Sequence, residues 1–114
     1  MINSFLLAFS GILKTIKKER NIKIHLLAAF LVVFLGVTVG LTKPEWLVIV
    51  FLIGVILAAE IFNSCIEEIC NLLNQKLQLA YKETKVIRDV SAGAVLILAI
   101  TSVVLALIIF FPYL

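Results

Sequence analysis

Three segments of this sequence, residues 24–41, 46–71 and 90–111, are long and rich in apolar side chains. A helix needs about 20 predominantly apolar residues to cross the hydrocarbon core of a bilayer. The whole chain is 63% apolar over 114 residues, well above the share of about 45–50% that is usual in soluble domains. We therefore exclude a water-soluble fold. We predict an all-α membrane protein, a single domain over residues 1–114 with one transmembrane helix in each segment.

The first 21 residues have a different pattern, in which apolar residues recur at helical spacing and basic residues follow on the remaining arc. The apolar positions are Ile2, Phe5, Leu6, Phe9, Ile12, Leu13 and Ile16. Lys14, Lys17 and Lys18 are suited to anionic lipid headgroups. We predict an amphipathic helix over residues 1–21 that lies on the membrane surface.

The basic residues also indicate the orientation of the chain in the membrane. Nine of the ten Lys and Arg residues lie before residue 24 or between residues 71 and 90, and Lys43 alone lies in the other loop. Segments rich in Lys and Arg stay in the cytoplasm. We expect a multi-pass protein with a cytoplasmic N-terminus and an external C-terminus. The net charge of +3 could suggest a nucleic-acid partner, but the membrane topology explains the positions of the basic residues. We therefore expect no nucleic-acid partner.

The second half of segment 46–71 carries polar residues every three or four positions. They are Glu60, Asn63, Ser64, Glu67 and Asn71. Residues at this spacing lie on one face of a helix. A carboxylate at membrane depth is costly unless it faces the interior of a bundle or a wet cavity. We predict a reaction site that faces the cytoplasm. The alternative is a row of hydrogen bonds that joins the helices.

Three other charged residues have two interpretations each. Glu19 either belongs to the site or is a solvated partner of Lys23, four residues along the helix. Arg88 and Asp89 either belong to the site or form a membrane anchor with its counter-ion. The sequence contains no Walker A loop, kinase glycine-rich loop or Rossmann fingerprint. The residues alone therefore do not identify ATP as a substrate.

Three blocks of sequence resemble the prokaryotic diacylglycerol kinase and undecaprenol kinase family, and they occur in the family's order. The most specific is residues 60–67, which read E-x-x-N-S-x-x-E, and the others are residues 19–25 and 88–96. The resemblance implies a homotrimeric helical bundle in a bacterial cell membrane. It further implies that the protein transfers the γ-phosphate of ATP to a lipid hydroxyl, with Mg²⁺ as cofactor.

The resemblance also implies roles for individual residues. Glu60 matches the catalytic general base on the lipid hydroxyl, and Glu19 and Glu67 match metal ligands. The positions implied in binding the nucleotide and its metal are Glu19, Asn63, Glu67, Arg88 and Asp89. Such a set suffices for phosphoryl transfer because the reaction requires mainly positioning and charge neutralisation.

Two positions depart from the family pattern: Asn71 stands where an Asp is usual, and Arg88 where a Lys is usual. The block 19–25 and the C-terminal residues 108–114 resemble the Gram-positive branch of the family. We therefore expect phosphorylation of undecaprenol to undecaprenyl phosphate. One alternative is a diacylglycerol kinase that makes phosphatidic acid. Another is a small oligomeric transporter in which Glu60 carries a proton that is coupled to a substrate. A third is a purely structural or helper membrane protein, in which Glu60 would be dispensable.

Overall fold

Backbone N–H and C=O groups in lipid must find hydrogen-bond partners within the protein, and in this chain they do so in helices. The computed structural model describes all residues, 1–114, and contains no strand. The helices are α1 (Ile2–Lys18), α2 (Arg20–Val39), α3 (Lys43–Lys76) and α4 (Tyr81–Phe110), and a 3₁₀ turn follows at Phe111–Tyr113. The predicted all-helical architecture is confirmed.

Helices α2, α3 and α4 are each long and apolar enough to cross a membrane. The chain is therefore an all-helical, multi-pass membrane protein. Helix α3 has 34 residues, which corresponds to about 51 Å at about 1.5 Å per residue. This is longer than the hydrocarbon core, which is about 30 Å thick. Part of α3 must therefore extend beyond the hydrocarbon into the headgroup region or water.

The helices differ in their bounds from the segments that hydropathy marked. The segments 24–41 and 46–71 fall almost entirely within α2 and α3, whereas α4 begins at Tyr81, well before residue 90. The physical reason is that hydropathy detects the part of a helix that suits lipid. The polar first turns of α4 are also helical, and they project from the membrane end of the span.

A tight turn joins α2 to α3. Gly40 closes α2 in the left-handed conformation, with φ of 77°, which glycine adopts without steric cost. The backbone N–H of Thr42 donates to Glu45 Oε1 at 2.9 Å and begins α3. A β-carbon at Gly36 would lie 2.7 Å from the ring of Trp46. Only a glycine at position 36 therefore allows the two helices to approach this closely.

Asn74 holds the turn between α3 and α4. Its side-chain amide donates to the carbonyl oxygens of Leu79 and Ala80, both at 3.1 Å. Its Oδ1 accepts a hydrogen bond from Thr84 at 3.1 Å. These bonds bring the C-terminal end of α3 next to the first turns of α4. Helix α3 packs against α4 along this hairpin and also packs against α2.

Candidate active site

The polar face of α3 is turned into the bundle. The side chain of Glu60 is buried, with 4% of its residue surface exposed, and Asn63 is 7% exposed. Glu60 Oε1 lies 3.1 Å from His25 Nε2 on α2. Asn63 Oδ1 accepts a hydrogen bond of 2.7 Å from Ser91 Oγ on α4. The two flanking helices thus each supply a partner for a buried polar group of α3, as such groups require.

Asn63 links Ser91 to the next carboxylate along α3. Its Nδ2 donates to Glu67 Oε1 at 3.3 Å, one turn further toward the C-terminus. Both the oxygen and the nitrogen of the Asn63 amide therefore make a hydrogen bond, which fixes the orientation of the side chain. Glu67 is half-buried, and its second oxygen is free to bind another group. The predicted stripe contains two carboxylates in different surroundings, Glu60 enclosed and Glu67 accessible.

Glu19 lies at the junction between α1 and α2, where the backbone is extended, with φ of −95° and ψ of 122°. It is half-buried and makes no side-chain hydrogen bond or ion pair in the chain. The preceding residue, Lys18, contacts Glu68 Oε2 at 3.2 Å. This ion pair is solvent-exposed and adds little stability. It shows that the α1–α2 junction lies beside the turn of α3 that carries Glu67.

The structure separates Arg88 and Asp89, which are adjacent in sequence. Arg88 Nη2 donates to Asn71 Oδ1 at 2.8 Å and to Asn74 Oδ1 at 2.9 Å. The guanidinium also lies 4.8 Å from the ring centroid of Tyr81. Asp89 instead pairs with Lys85 on the outside of α4. Since every group that Arg88 contacts is neutral, its positive charge is not compensated within the chain.

A recess of about 270 Å³ surrounds the buried carboxylate. Eight residues from α2, α3 and α4 line it: Asn21, His25, Glu60, Asn63, Ala92, Val95, Leu96 and Ala99. Half of them are hydrophobic, so the recess has one polar and one apolar side. A lipid hydroxyl requires such a surface, because its oxygen needs a hydrogen-bond partner while its chain does not.

The structure assembles part of the predicted set and adds residues that were not predicted. Glu60, Asn63 and Glu67 lie on one face of α3, and the α1–α2 junction that carries Glu19 lies beside it. His25 and Ser91 were not predicted as members of the site. The only signal for them was their position inside the sequence blocks 19–25 and 88–96, which carried the family resemblance.

The acidic residues are suited to a metal that a nucleotide shares. No three His, Cys, Asp or Glu side chains come together as a metal-binding group. Mg²⁺ usually binds through one or two carboxylates together with phosphate oxygens and water, rather than in a cage made only of protein. The free oxygen of Glu67 and the unpaired carboxylate of Glu19 fit that kind of donor set.

Comparisons with known proteins agree with this chemistry. The family model described as prokaryotic diacylglycerol kinase matches residues 6–110. The undecaprenol kinase of Bacillus subtilis (strain 168) is 38% identical over 109 residues, which cover 96% of this chain and 86% of that protein. No solved structure matches the chain at a significant level.

Proposed function

Because the chain belongs to the prokaryotic diacylglycerol kinase family and is therefore a lipid kinase, we propose that its acceptor is undecaprenol, which it converts to undecaprenyl phosphate with ATP as donor. The similar Bacillus subtilis protein bears that activity in its name. The observation that carries the proposal is the buried carboxylate of Glu60. It lies between three helices that are long and apolar enough to cross a membrane, in a half-apolar recess that suits a lipid alcohol.

In this proposal Glu60 is the general base. The oxygen of the lipid hydroxyl forms a bond to the γ-phosphorus, and the bond from that phosphorus to the bridging oxygen of ADP breaks. The hydroxyl proton passes to the Glu60 carboxylate, which His25 holds at 3.1 Å. A positioned base of this kind contributes about 10²–10⁴-fold to a rate. Burial supports this role because it excludes water from the carboxylate.

We further propose that Glu19 and Glu67 hold Mg²⁺ together with the nucleotide. Bound Mg²⁺ supplies neutralisation of negative charge on the phosphate oxygens. The accessible second oxygen of Glu67 and the unpaired side chain of Glu19 support this assignment. Asn63 fixes Glu67 through its hydrogen bond of 3.3 Å and is thereby a positioning residue for the metal.

For the nucleotide we propose contacts with Arg88 and Asp89. Arg88 is held in place by two asparagine oxygens, and its uncompensated charge favours a phosphate oxygen. Asp89 is exposed beside Lys85, where it can accept a hydrogen bond from a sugar or base. The two residues lie at the same end of the bundle as Glu67, because Arg88 contacts Asn71, one turn further along α3.

We propose that α1 lies on the cytoplasmic surface of a bacterial cell membrane. None of its residues is buried in the chain, and Phe5 is 72% exposed. Lipid contact would remove this apolar surface from water. Lys18, Arg88 and the polar residues of α3 lie at the same end of the bundle, and this end carries most of the basic residues. That asymmetry supports a cytoplasmic N-terminus and an external C-terminus.

We also propose that the protein is a homotrimer with α3 at its centre. The side of α3 opposite the polar face is exposed and carries Gly54, Ala58, Phe62, Cys65 and Ile69. Their spacing of three or four residues, with small side chains at positions 54 and 58, suits close helix packing in lipid. Sedimentation in detergent should give three times the subunit mass of 12.6 kDa. A monomer under conditions that retain activity would contradict the trimer.

The function is tested with labelled ATP and the purified protein in mixed micelles that contain undecaprenol and diacylglycerol side by side. We expect label in undecaprenyl phosphate, and a rate about 10²–10⁴-fold lower with Glu60→Gln. Glu68→Gln is the matched control, because Glu68 is exposed on the same helix, and it should retain activity. Label mainly in phosphatidic acid would identify a diacylglycerol kinase. No label from folded protein would contradict kinase activity and favour a transporter.

A further inference from the structure

A second cavity lies deeper in the spans, between α2, α3 and α4. Its volume is about 320 Å³, and 12 of its 14 lining residues are hydrophobic. The two others are His25 and Ser102. The hydroxyl oxygen of Ser102 is buried and has no hydrogen-bond partner. The cavity is therefore almost entirely hydrocarbon in character and contains one free hydroxyl.

This cavity adjoins the recess around Glu60. His25 and Ala99 line both of them. On α4 the cavity continues from Ala99 to Ala106, which is about 10 Å along the helix at about 1.5 Å per residue. A chain that enters the cavity at one end therefore has its first atoms beside the His25 and Glu60 pair.

The volume indicates how much of a lipid the cavity holds. An apolar protein cavity of about 150 Å³ accommodates one benzene molecule, which has six carbon atoms. A cavity of about 320 Å³ therefore holds about thirteen carbons by the same ratio. This corresponds to between two and three five-carbon isoprene units, and the remainder of a long chain would extend into the bilayer.

We propose that this cavity binds the first isoprene units of the acceptor and selects an alcohol whose hydroxyl carbon continues directly as hydrocarbon. The inference rests on the proposed kinase function and deepens it. A polyprenol fulfils this requirement. A diacylglycerol does not, because its ester groups lie close to the hydroxyl and would enter the cavity with it.

The selectivity follows from hydrogen bonding. Burial of a polar group without a partner is unfavourable. Besides Ser102, the only polar side chain on the wall is His25, whose Nε2 is already engaged by Glu60. The carbonyl oxygens of two esters would thus compete for one hydroxyl. We expect the kinase to prefer a polyprenol over a diacylglycerol by tenfold or more in kcat/KM.

The test compares a C15 polyprenol with dioctanoylglycerol as acceptors for labelled ATP. Ala106→Leu fills the far end of the cavity and should lower kcat/KM for the polyprenol at least tenfold. The KM for ATP and the slow reaction of the diacylglycerol should stay unchanged. Ala29→Leu, on the opposite wall, should do the same and serves as the second variant if the first does not fold. Ala94→Leu is the control, because Ala94 is exposed on α4 and lines neither cavity.

The outcomes separate this inference from the function on which it rests. No label in either lipid with the wild type would contradict the proposed function. If both cavity variants fold and leave the kcat/KM for the polyprenol unchanged, the inference alone is overturned. It is also overturned if these variants lower the kcat/KM for the polyprenol and for the diacylglycerol by the same factor. Equal use of the two lipids by the wild type would overturn the selectivity.

Discussion

Removal of the His25 imidazole tests whether Glu60 needs a partner in order to act as a base. In His25→Ala the buried carboxylate loses a contact of 3.1 Å, and only 4% of the Glu60 surface reaches solvent, so water does not readily replace the lost partner. Hydrogen bonds to charged groups are worth about 1.5–3 kcal/mol. At about 1.4 kcal/mol per factor of ten, this predicts a loss of about 10–150-fold in kcat, with the KM for ATP nearly unchanged.

A double-mutant cycle makes this prediction specific. If His25 acts only through Glu60, His25→Ala should have little further effect on the rate in a Glu60→Gln background. The effects of mutating two residues that act as a unit do not add. His25→Gln keeps a side-chain amide within reach and should recover part of the rate. Phosphate transfer to undecaprenol in mixed micelles measures all four variants. Full additivity of the two losses would refute the linkage between His25 and Glu60.

Three more variants test other parts of the structure. Arg88→Gln removes the uncompensated positive charge beside Asn71 and Asn74 and should raise the KM for ATP several-fold without changing the KM for lipid. Steady-state kinetics measures both values, and an unchanged KM for ATP would exclude Arg88 from the nucleotide site. Glu67→Gln should shift the magnesium titration of activity to higher concentrations, and a curve identical to the wild type would contradict its role as ligand. Gly36→Ala places a β-carbon 2.7 Å from the indole ring of Trp46 and should cost about 1–3 kcal/mol of stability, which would lower the thermal midpoint in detergent. Gly11→Ala is the control, because a β-carbon there has nothing within 4 Å, and it should leave the midpoint unchanged.

The proposed catalytic arrangement differs from that of soluble kinases, since the chain has no glycine-rich phosphate loop. In its place, we propose two carboxylates for metal, one carboxylate for the proton and one arginine, all at one end of the helical bundle. Phosphoryl transfer places few covalent demands on the protein. A bundle that aligns ATP with a lipid hydroxyl therefore meets the main requirement, and the membrane supplies the second substrate.

The helical spans were predictable because they depend on a local property. A run of about 20 apolar residues suits lipid whatever the rest of the chain does. The face of α3 that carries Glu60, Asn63 and Glu67 was predictable for a similar reason, because helical periodicity alone aligns them. The start of α4 was harder to predict from the sequence, because the segment from Tyr81 to Asp89 is helical but too polar to be marked by hydropathy.

The sequence by itself determined the three crossings, the polar face of α3 and the family, because apolar length, helical spacing and the sequence blocks can each be read along the chain. Tertiary structure alone decided that His25 meets Glu60, that Ser91 meets Asn63, and that Arg88 turns to Asn71 while Asp89 turns away. Those contacts join residues 17 to 35 positions apart. No local pattern specifies them, because they depend on how α2 and α4 pack against α3.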